Sequence, residues 1–259
     1  TYLLLDGKRR RESLALLKSS WIRLIALGLF GGVGYNFFLY VGQSEIKPGA
    51  AALLTTLAPL FTLLLAIPLL KERVPARRIA GIIVAFLGLY IVVRWGRVGL
   101  GRMAGISNAE LKYAMILALA PLSWSIYTII GKDLVKRHSP LTVTYLALII
   151  GTMPLLVRAD SGFFSTIASM DKSYWIALAY LSLLCTIVGF WIWVLGLKHL
   201  PATSVASFVY LNPPFAAFFG WLLFDEEITK MFMLGSAVVL AGLYMAQLNA
   251  EGPGSSKNH

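Results

Sequence analysis

Residues 57–90 read LAPLFTLLLAIPLLKERVPARRIAGIIVAFLGLY, and residues 211–244 read LNPPFAAFFGWLLFDEEITKMFMLGSAVVLAGLY. Each stretch has a proline among apolar residues, then a charged cluster, then an apolar run with two glycines seven residues apart. A shift of 154 residues superposes nine identical residues over positions 59–90. Leucine-rich composition produces chance leucine matches, but not a series of Pro, Glu, Gly, Gly and Tyr in register. We interpret the two stretches as an internal duplication.

Composition indicates a membrane protein. Of the 259 residues, 58% are hydrophobic and 14% are charged, and the mean hydropathy is +0.75. The net charge of +11 is also found in nucleic-acid-binding proteins. Here, however, the basic residues lie in short clusters between apolar runs, as membrane proteins carry them. We therefore expect a lipid bilayer as partner and no nucleic acid.

Eight apolar segments are long enough to cross a bilayer as helices. Lipid cannot satisfy exposed backbone groups, and the segments lack the alternation of barrel strands, so we expect an all-α integral membrane protein. Most connections are short and charged, and the longer ones are 96–112 and 159–173. The segments are 22–43, 49–70, 79–95, 113–131, 141–158, 174–197, 202–224 and 231–248.

Lysine and arginine set the orientation. The side that holds residues 6–20 has 14 of them, and the opposite side has eight. The positive-inside rule places the first side, together with the C-terminus, in the cytoplasm. Five crossings separate the loop of Glu72 from its copy with Glu226. Because five is odd, the two halves are expected to be inverted relative to each other.

The duplication also predicts what the first half lacks. Shifted back by 154, the segments at 113–131 and 141–158 have partners that fall before residue 1, except for a few residues near Leu4. Since the chain starts with Thr1 and not Met, we expect a longer sequence whose inverted-repeat helix bundle has ten helices, five plus five. The chain would hold eight of them and a stub. The expected parts are a first repeat, a linker, a second repeat and a disordered cytoplasmic tail, at 1–98, 99–112, 113–248 and 249–259.

Each half resembles the EamA repeat of the drug/metabolite transporter superfamily. The resemblance covers residues 8–248 and implies a carrier in the plasma (inner) membrane with both termini in the cytoplasm. Such carriers move small organic solutes such as amino acids and other metabolites, often outward. A homodimer is left open. The residues that carry the resemblance are 50–54, 59–62, 71–74, Gly81 and Gly88 in the first half, and Pro201, 204–207, 212–213, 225–227, Gly235 and Gly242 in the second.

Prolines mark where a solute could bind. Inverted-repeat transporters hold their solute near mid-membrane, where helices are interrupted, and Pro59, Pro121 and Pro213 lie at the middle of their segments. Each proline removes an N–H and frees the carbonyl four residues earlier. A solute or water in a cavity could bind the freed carbonyls, and a kink relieved by a neighbouring Ser or Thr is the alternative. The carbonyls are those of Thr55, Leu117 and Val209.

Aromatic and polar residues at the same depth are the candidate substrate-binding residues. Aromatic rings with polar handles suit a mostly apolar pocket, although each could instead pack between helices or lie at the membrane interface. Asn36 and Asn212 are the strongest candidates, because an amide near the bilayer centre is expensive unless it is paired. The candidates are Tyr35, Asn36, Thr55, Ser123, Trp124, Tyr127, Trp191, Tyr210 and Asn212.

Other motifs point away from catalysis. Glu72 and Glu226 fall at helix ends on opposite faces, so we expect capping or ion pairing rather than a catalytic pair. The paired glycines are expected to pack helices. The sequence has no metal, nucleophile or phosphate-loop motif, which predicts neither an enzyme nor a cofactor. It also has no ionisable residue at mid-span, which disfavours a proton-carrying acid and a highly anionic solute.

The sequence thus favours an alternating-access carrier for a small, neutral or zwitterionic solute, with amino acids as the leading class. Its two five-helix halves would rock about the central site. One alternative is a cationic drug/proton antiporter whose coupling acid lies in the missing N-terminal helices. Another is a non-transporting membrane enzyme or assembly subunit, which would need a polar catalytic cluster.

Overall fold

The computed structural model describes residues 7–46, 51, 54–95, 108–156, 161–212, 214–215, 218–219, 222 and 229–248. Over these residues the chain is helical and contains no strand, as expected for an all-α protein. Four helical runs are long and apolar enough to cross a membrane. They are Arg10–Gln43, Leu111–Leu134, Lys172–His199 and Lys230–Gln247.

Described helices fall within all eight predicted apolar segments. Several segments are divided by a break or a change of helix type. The α-helices are α1 (Gly7–Gly28), α2 (Tyr35–Gln43), α3 (Ala58–Leu70), α4 (Ala76–Trp95), α5 (Asn108–Leu134), α6 (Pro140–Leu156), α7 (Ser161–Ala168), α8 (Lys172–Ala179), α9 (Gly189–His199), α10 (Ala202–Ser207) and α11 (Lys230–Gln247).

Two predicted connections are partly helical. Residues 6–20, which were expected to lie outside the membrane, are helical from Gly7, where α1 begins, and α1 continues through a kink at Ser20, where φ is −143° and ψ is 28°. Arg, Lys, Leu and Ala are good helix formers, and charge alone did not mark a loop. The predicted connection 159–173 contains the short helix α7.

Wide helical turns interrupt two of the predicted spans at equivalent positions. A π-helical segment, Leu29–Gly34, joins α1 to α2, and a second, Tyr180–Val188, joins α8 to α9. A shift of 154 places residues 29–34 on 183–188, so both wide segments end at the same position of the duplicated sequence. Such wide turns leave local backbone hydrogen bonds irregular and are frequent at functional sites.

The chain forms two compact units, each built from segments on both sides of the predicted linker. The first unit comprises Thr1–Gly34 and Ile130–His199, and the second comprises Tyr35–Ile129 and Leu200–His259. In the first unit α1 packs closely on α6 through glycines. A Cβ added to Gly28 would lie 2.7 Å from the backbone N of Gly151, so only glycine permits this approach.

In the second unit α4 and α11 pack antiparallel along a seam of small residues. A Cβ on Gly81 would lie 2.6 Å from the carbonyl O of Gly242, and one on Gly88 would lie 2.9 Å from that of Gly235. Small residues let helix backbones approach where lipid provides no hydrophobic drive for association. The expectation that these glycines pack helices is therefore confirmed. We call this contact the glycine seam.

Glutamates bind the amino ends of two helices from distant parts of the chain. In the second unit Glu72 Oε1 accepts from the N–H of Ala202 at 2.7 Å, at the start of α10, and Glu72 Oε2 accepts from the hydroxyl of Thr203 at 3.1 Å. In the first unit Glu12 Oε1 accepts from the N–H of Ser139 at 2.6 Å, beside the start of α6. A carboxylate at this position satisfies N–H groups that have no partner within the helix.

Candidate solute-binding site

Helix α5 carries the centre of the candidate site. It continues through Pro121, and the hydroxyl of Ser125, one turn later, lies 2.8 Å from the Pro121 carbonyl O and 2.9 Å from that of Ala58. The hydroxyl of Thr62 donates to Ser125 Oγ at 3.1 Å, from the facing helix α3. A buried pair of hydroxyls therefore joins the two proline-containing helices. The carbonyls that Ser125 approaches are not those of Thr55 and Leu117, which Pro59 and Pro121 free.

An aromatic cluster extends from the next residue of α5. The ring of Trp124 lies 5.4 Å from Tyr35 on α2 and 5.1 Å from Tyr127, between ring centroids. Trp124 and Tyr127 are three residues apart, so they project from one face of the helix. Tyr127 is buried, whereas Tyr35 and Trp124 are partly exposed. The structure thus brings together three of the predicted site residues, which we call the aromatic cluster.

Helix α3 begins at the predicted interruption. Leu54 and Thr55 are helical, Thr56 and Leu57 form a turn, and α3 starts at Ala58 with Pro59 in its first turn. The cap residue Leu57 makes no side-chain hydrogen bond to the helix start. Proline is well suited to this position, since a first-turn N–H has no intrahelical partner. The amino end of α3 therefore lies beside Ser125, whose hydroxyl approaches the Ala58 carbonyl.

The predicted span that holds Pro213 changes helix geometry at the position equivalent to the break before α3. After α10 the chain tightens into a 3₁₀ turn, Phe208–Leu211, which the 154-residue shift places on residues 54–57. The N–H of Asn212 donates to the carbonyl of Val209. The expectation of an unpaired carbonyl at Val209 is therefore wrong, because the 3₁₀ turn supplies a nearer donor. Pro213 lies outside the described residues.

The remaining predicted site residues are more scattered. Tyr210 is buried among the apolar side chains of Leu63, Ile82 and Leu243, and its hydroxyl has no hydrogen-bond partner in the described part of the chain. Asn36 and Asn212 are exposed, and Thr55 is partly exposed. Ser123 is buried on α5. Trp191 belongs to the first unit, on α9, with 37% of its surface exposed.

The site is electrically neutral in its described part. Tyrosine, tryptophan, serine and threonine side chains make up the aromatic cluster and the Thr62–Ser125 pair. No group of three His, Cys, Asp or Glu side chains able to hold a metal ion occurs among the residues that the structure describes. What the arrangement offers a solute is aromatic surface, hydroxyls and the amino end of a helix.

A polar cluster at one end of the second unit was not predicted. Arg78 Nη1 donates to Thr203 Oγ1 at 3.3 Å, while Thr203 donates to Glu72. Arg78 Nε also donates to the carbonyl of Ala246 at 3.3 Å, and Gln247 Nε2 donates to the carbonyl of Ser204 at 2.9 Å. These bonds tie the loop after α3 and the start of α4 to the start of α10 and the end of α11. The contacts of Arg78 and Glu72 span more than a hundred residues, and they left no signal in a single sequence.

The long apolar helical runs are those of a helical integral membrane protein, and the comparison with known families identifies the class as transporters. The EamA-like transporter family matches residues 2–94 and 111–248. The chain belongs to this family.

Similar proteins include both unassigned transporters and one with a stated cargo. The chain is 28% identical to an uncharacterized transporter of Archaeoglobus fulgidus over 86% of this chain and 76% of the relative. It is 27% identical to the uncharacterized transporter YyaM of Bacillus subtilis, over 89% and 74%. A probable terminal-alkyne amino-acid exporter of Streptantibioticus cattleyicolor is 29% identical over 86% and 72%. A crystal structure with 19% identity superposes with a TM-score of 0.73 over 91% of this chain and 79% of the other, which shows the fold alone.

Proposed function

We propose that the protein exports small neutral or zwitterionic organic solutes, with amino acids as the leading class, by alternating access. The observation that carries this proposal is the neutral aromatic cluster beside a buried hydroxyl pair at a helix interruption. Transport sites are mostly apolar, with a few placed hydrogen-bonding groups. The similarity to a probable terminal-alkyne amino-acid exporter agrees with this class of solute.

The chemistry of an amino acid fits these groups. Its carboxylate would approach the amino end of α3, where the helix dipole favours negative charge. Its ammonium would lie against the faces of Trp124 and Tyr35, as cations do on aromatic rings. The Thr62–Ser125 hydroxyls would provide additional hydrogen bonds. The solute-binding role that we assign to Asn36, Thr55, Trp191, Tyr210 and Asn212 belongs to the same proposal.

Three coincidences of register support an inverted repeat. The π-helical segments end at equivalent positions, and the break at residues 56–57 corresponds to the last two residues of the 3₁₀ turn at 208–211. The third coincidence is in the glycine seam. The 154-residue shift converts the pair Gly81–Gly242 into the pair Gly235–Gly88, and both pairs are in contact. A seam that maps onto itself in this way is what two inverted copies would form.

Contacts at helix ends support the proposed loop orientation. Glu72 binds Ala202, and Glu12 binds Ser139, and each pair joins loops that the charge distribution assigns to the same side. We propose that this side, with the C-terminus, faces the cytoplasm, as the excess of Lys and Arg indicates. The two repeats would exchange conformations during transport and open the site to each face in turn.

A cationic-drug exporter is the second candidate, because an aromatic cluster also suits a quaternary ammonium. Counterflow in liposomes distinguishes the two. Purified protein is reconstituted, the liposomes are loaded with one unlabelled solute, and uptake of the same labelled solute is measured for leucine, glucose and tetraethylammonium. We expect counterflow of leucine. Counterflow of tetraethylammonium alone would support the second candidate, and counterflow of none would contradict both.

Two variants test the site itself. Trp124→Ala removes the centre of the aromatic cluster, and we expect leucine counterflow to fall by about tenfold, the scale of a cation–π contact. Trp175→Ala, at an exposed tryptophan of α8, is the matched control and should transport normally. Asn212→Leu is also expected to abolish transport with normal expression. Equal activity of the wild type and the Trp124 and Asn212 variants would remove the assignment.

The inverted arrangement has its own test. With the single Cys185 replaced by serine, one cysteine is introduced at Arg73 or at Glu227, in the two equivalent loops. A membrane-impermeant maleimide should label the two positions from opposite sides of sealed vesicles. If both react from the same side, the inverted repeat is wrong and the alternating-access mechanism loses its basis.

A further inference from the structure

A polar groove lies in the first unit between the kink of α1 and the carboxyl end of α5. It has a volume of about 330 Å³, and its walls include Lys18, Trp21, Arg23, Asp133 and Arg137. The lining residues of this groove belong to the first unit, and the residues of the aromatic cluster belong to the second. The proposed transport cycle makes no use of it.

The groove carries an excess of positive charge. Arg23 Nη1 lies 2.8 Å from Asp133 Oδ2, and Lys136 Nζ lies 3.8 Å from Asp133 Oδ1. The negative charge of Asp133 is therefore already balanced by these two ion pairs. Lys18 and Arg137 remain, both exposed. Neither has an ion pair within the described part of the chain. Two cations that face one groove without a counter-ion favour an anionic ligand.

The surroundings of the groove are those of a membrane interface. The kink at Ser20 separates the charged start of α1 from its apolar remainder. Directly after the kink, Trp21 is 56% exposed and Ile22 is 64% exposed. A tryptophan between basic residues and an apolar helix is typical of the headgroup level of a bilayer. The cations of the groove would therefore lie at the depth of lipid phosphates.

We infer that this groove binds the phosphate of an anionic membrane lipid. Arg137 can present a planar pair of donors to two phosphate oxygens, and Lys18 adds a compact positive charge. Basic pockets at the cytoplasmic ends of spanning helices bind lipid headgroups in this way. A soluble phosphate ester shares the phosphate chemistry but would gain nothing from the exposed Trp21 and Ile22. Those side chains offer an apolar surface to the glycerol and acyl chains of a lipid.

Native mass spectrometry of the purified protein tests the inference. Delipidated protein is titrated with dioctanoyl phosphatidylglycerol or dioctanoyl phosphatidylcholine, and inorganic phosphate is added as competitor. We expect phosphatidylglycerol to be retained and phosphatidylcholine to be lost. The double variant Lys18→Gln/Arg137→Gln should bind phosphatidylglycerol about tenfold more weakly, since each basic residue adds measurably to the attraction for an anionic lipid.

A matched double variant, Arg11→Gln/Arg77→Gln, controls for the loss of two positive charges. Both arginines are exposed and lie outside the groove. If this control loses phosphatidylglycerol to the same extent as the groove variant, the lipid is held by the overall positive charge of the protein, and the proposed site is refuted. Retention of the lipid by the groove variant also refutes it. Displacement of the lipid by equimolar inorganic phosphate would contradict a lipid ligand and would support a soluble phosphate ester instead. Should the double variant not fold, Arg137→Gln alone is expected to weaken lipid binding.

Discussion

The glycine seam and the helical run Lys172–His199 are both strongly apolar, but they pack in opposite ways. In the seam, glycines and alanines bring two backbones together, and large side chains such as Leu89 and Leu243 are buried around them. In the run, only 6% of the residues in its most apolar stretch are buried, although the mean hydropathy of that stretch, 2.1, exceeds that of α11. Hydropathy therefore identifies a membrane span, whereas small residues identify where spans meet.

The largest effect should follow from adding one methyl group to the seam. In Gly242→Ala the new Cβ would overlap the backbone N of Ala85 and would lie 2.7 Å from the Gly81 carbonyl O. Neither backbone atom can turn away, so the helices must separate, at a cost on the order of 3 kcal/mol. A marked fall of the thermal unfolding midpoint in detergent would show it.

Gly189→Ala is the matched control from the run. Its nearest atom would be the Leu184 carbonyl O at 3.7 Å, an ordinary contact distance. Since alanine favours helix more than glycine does, this variant should be unchanged or slightly stabilised. Equal unfolding midpoints for the two variants would mean that the seam does not hold the second unit together.

Leucine truncations should show the next largest difference. Leu243 is 5% exposed in the seam, and Leu184 is 55% exposed in the run. Leu243→Ala leaves a cavity among protein atoms and should cost about 2 kcal/mol. Leu184→Ala removes few protein contacts and should change stability by less than about 0.5 kcal/mol. Chemical denaturation in mixed micelles measures both, and a larger loss for Leu184→Ala would contradict the contrast between the two regions.

The positions of the glycines in the seam were predictable because the same spacing occurs in both copies of the duplicated sequence. Gly81, Gly88, Gly235 and Gly242 occupy paired positions in the two copies, and the structure joins them. Their partners across the helices were not predictable, since a helix that is apolar all round does not indicate which face packs. The charged residues 7–19 form helix because Lys and Arg are good helix formers, and their charge predicted only the side of the membrane.

The candidate site was predicted residue by residue but not as an arrangement. Tyr35, Trp124 and Tyr127 were selected from depth and residue type, and the structure places their rings together. Thr62 and Ser125 were missed as a pair because single hydroxyls in apolar runs look neutral, and only the packing of α3 on α5 gives them partners. Glu72 was expected to cap a helix and does, but that helix begins 130 residues later.

A substitution in the polar cluster at the end of the second unit should have a smaller effect on stability. Glu72→Gln keeps one acceptor but replaces the other with an amide N–H₂ that cannot accept from the Thr203 hydroxyl. We expect a loss of about 1 kcal/mol, the value of a hydrogen bond to a charged group that is partly lost. Glu45→Gln, at an exposed position with no hydrogen bond described, is the control. Unfolding midpoints that fall equally in both variants would assign the effect to net charge and not to the cap.

The smallest effect should come from the start of the run, where Asp171 caps α8. The Ser173 hydroxyl, followed by the N–H groups of Tyr174 and Ser173, holds the pKa of Asp171 below its ordinary value. Because the folded state has the lower pKa, the cap stabilises the folded protein above about pH 3.9, the unfolded value, and this stabilisation is lost as the pH falls through the folded value.

Asp171→Ala should therefore lower the unfolding midpoint at pH 7 by less than Glu72→Gln does, and the difference from wild type should shrink on acidification. Asp171→Asn caps without titrating, so its unfolding midpoint should stay constant relative to Asp171→Ala as the pH is lowered. If the wild type and Asp171→Ala differ by the same amount at every pH, the carboxylate is not the source of the stabilisation.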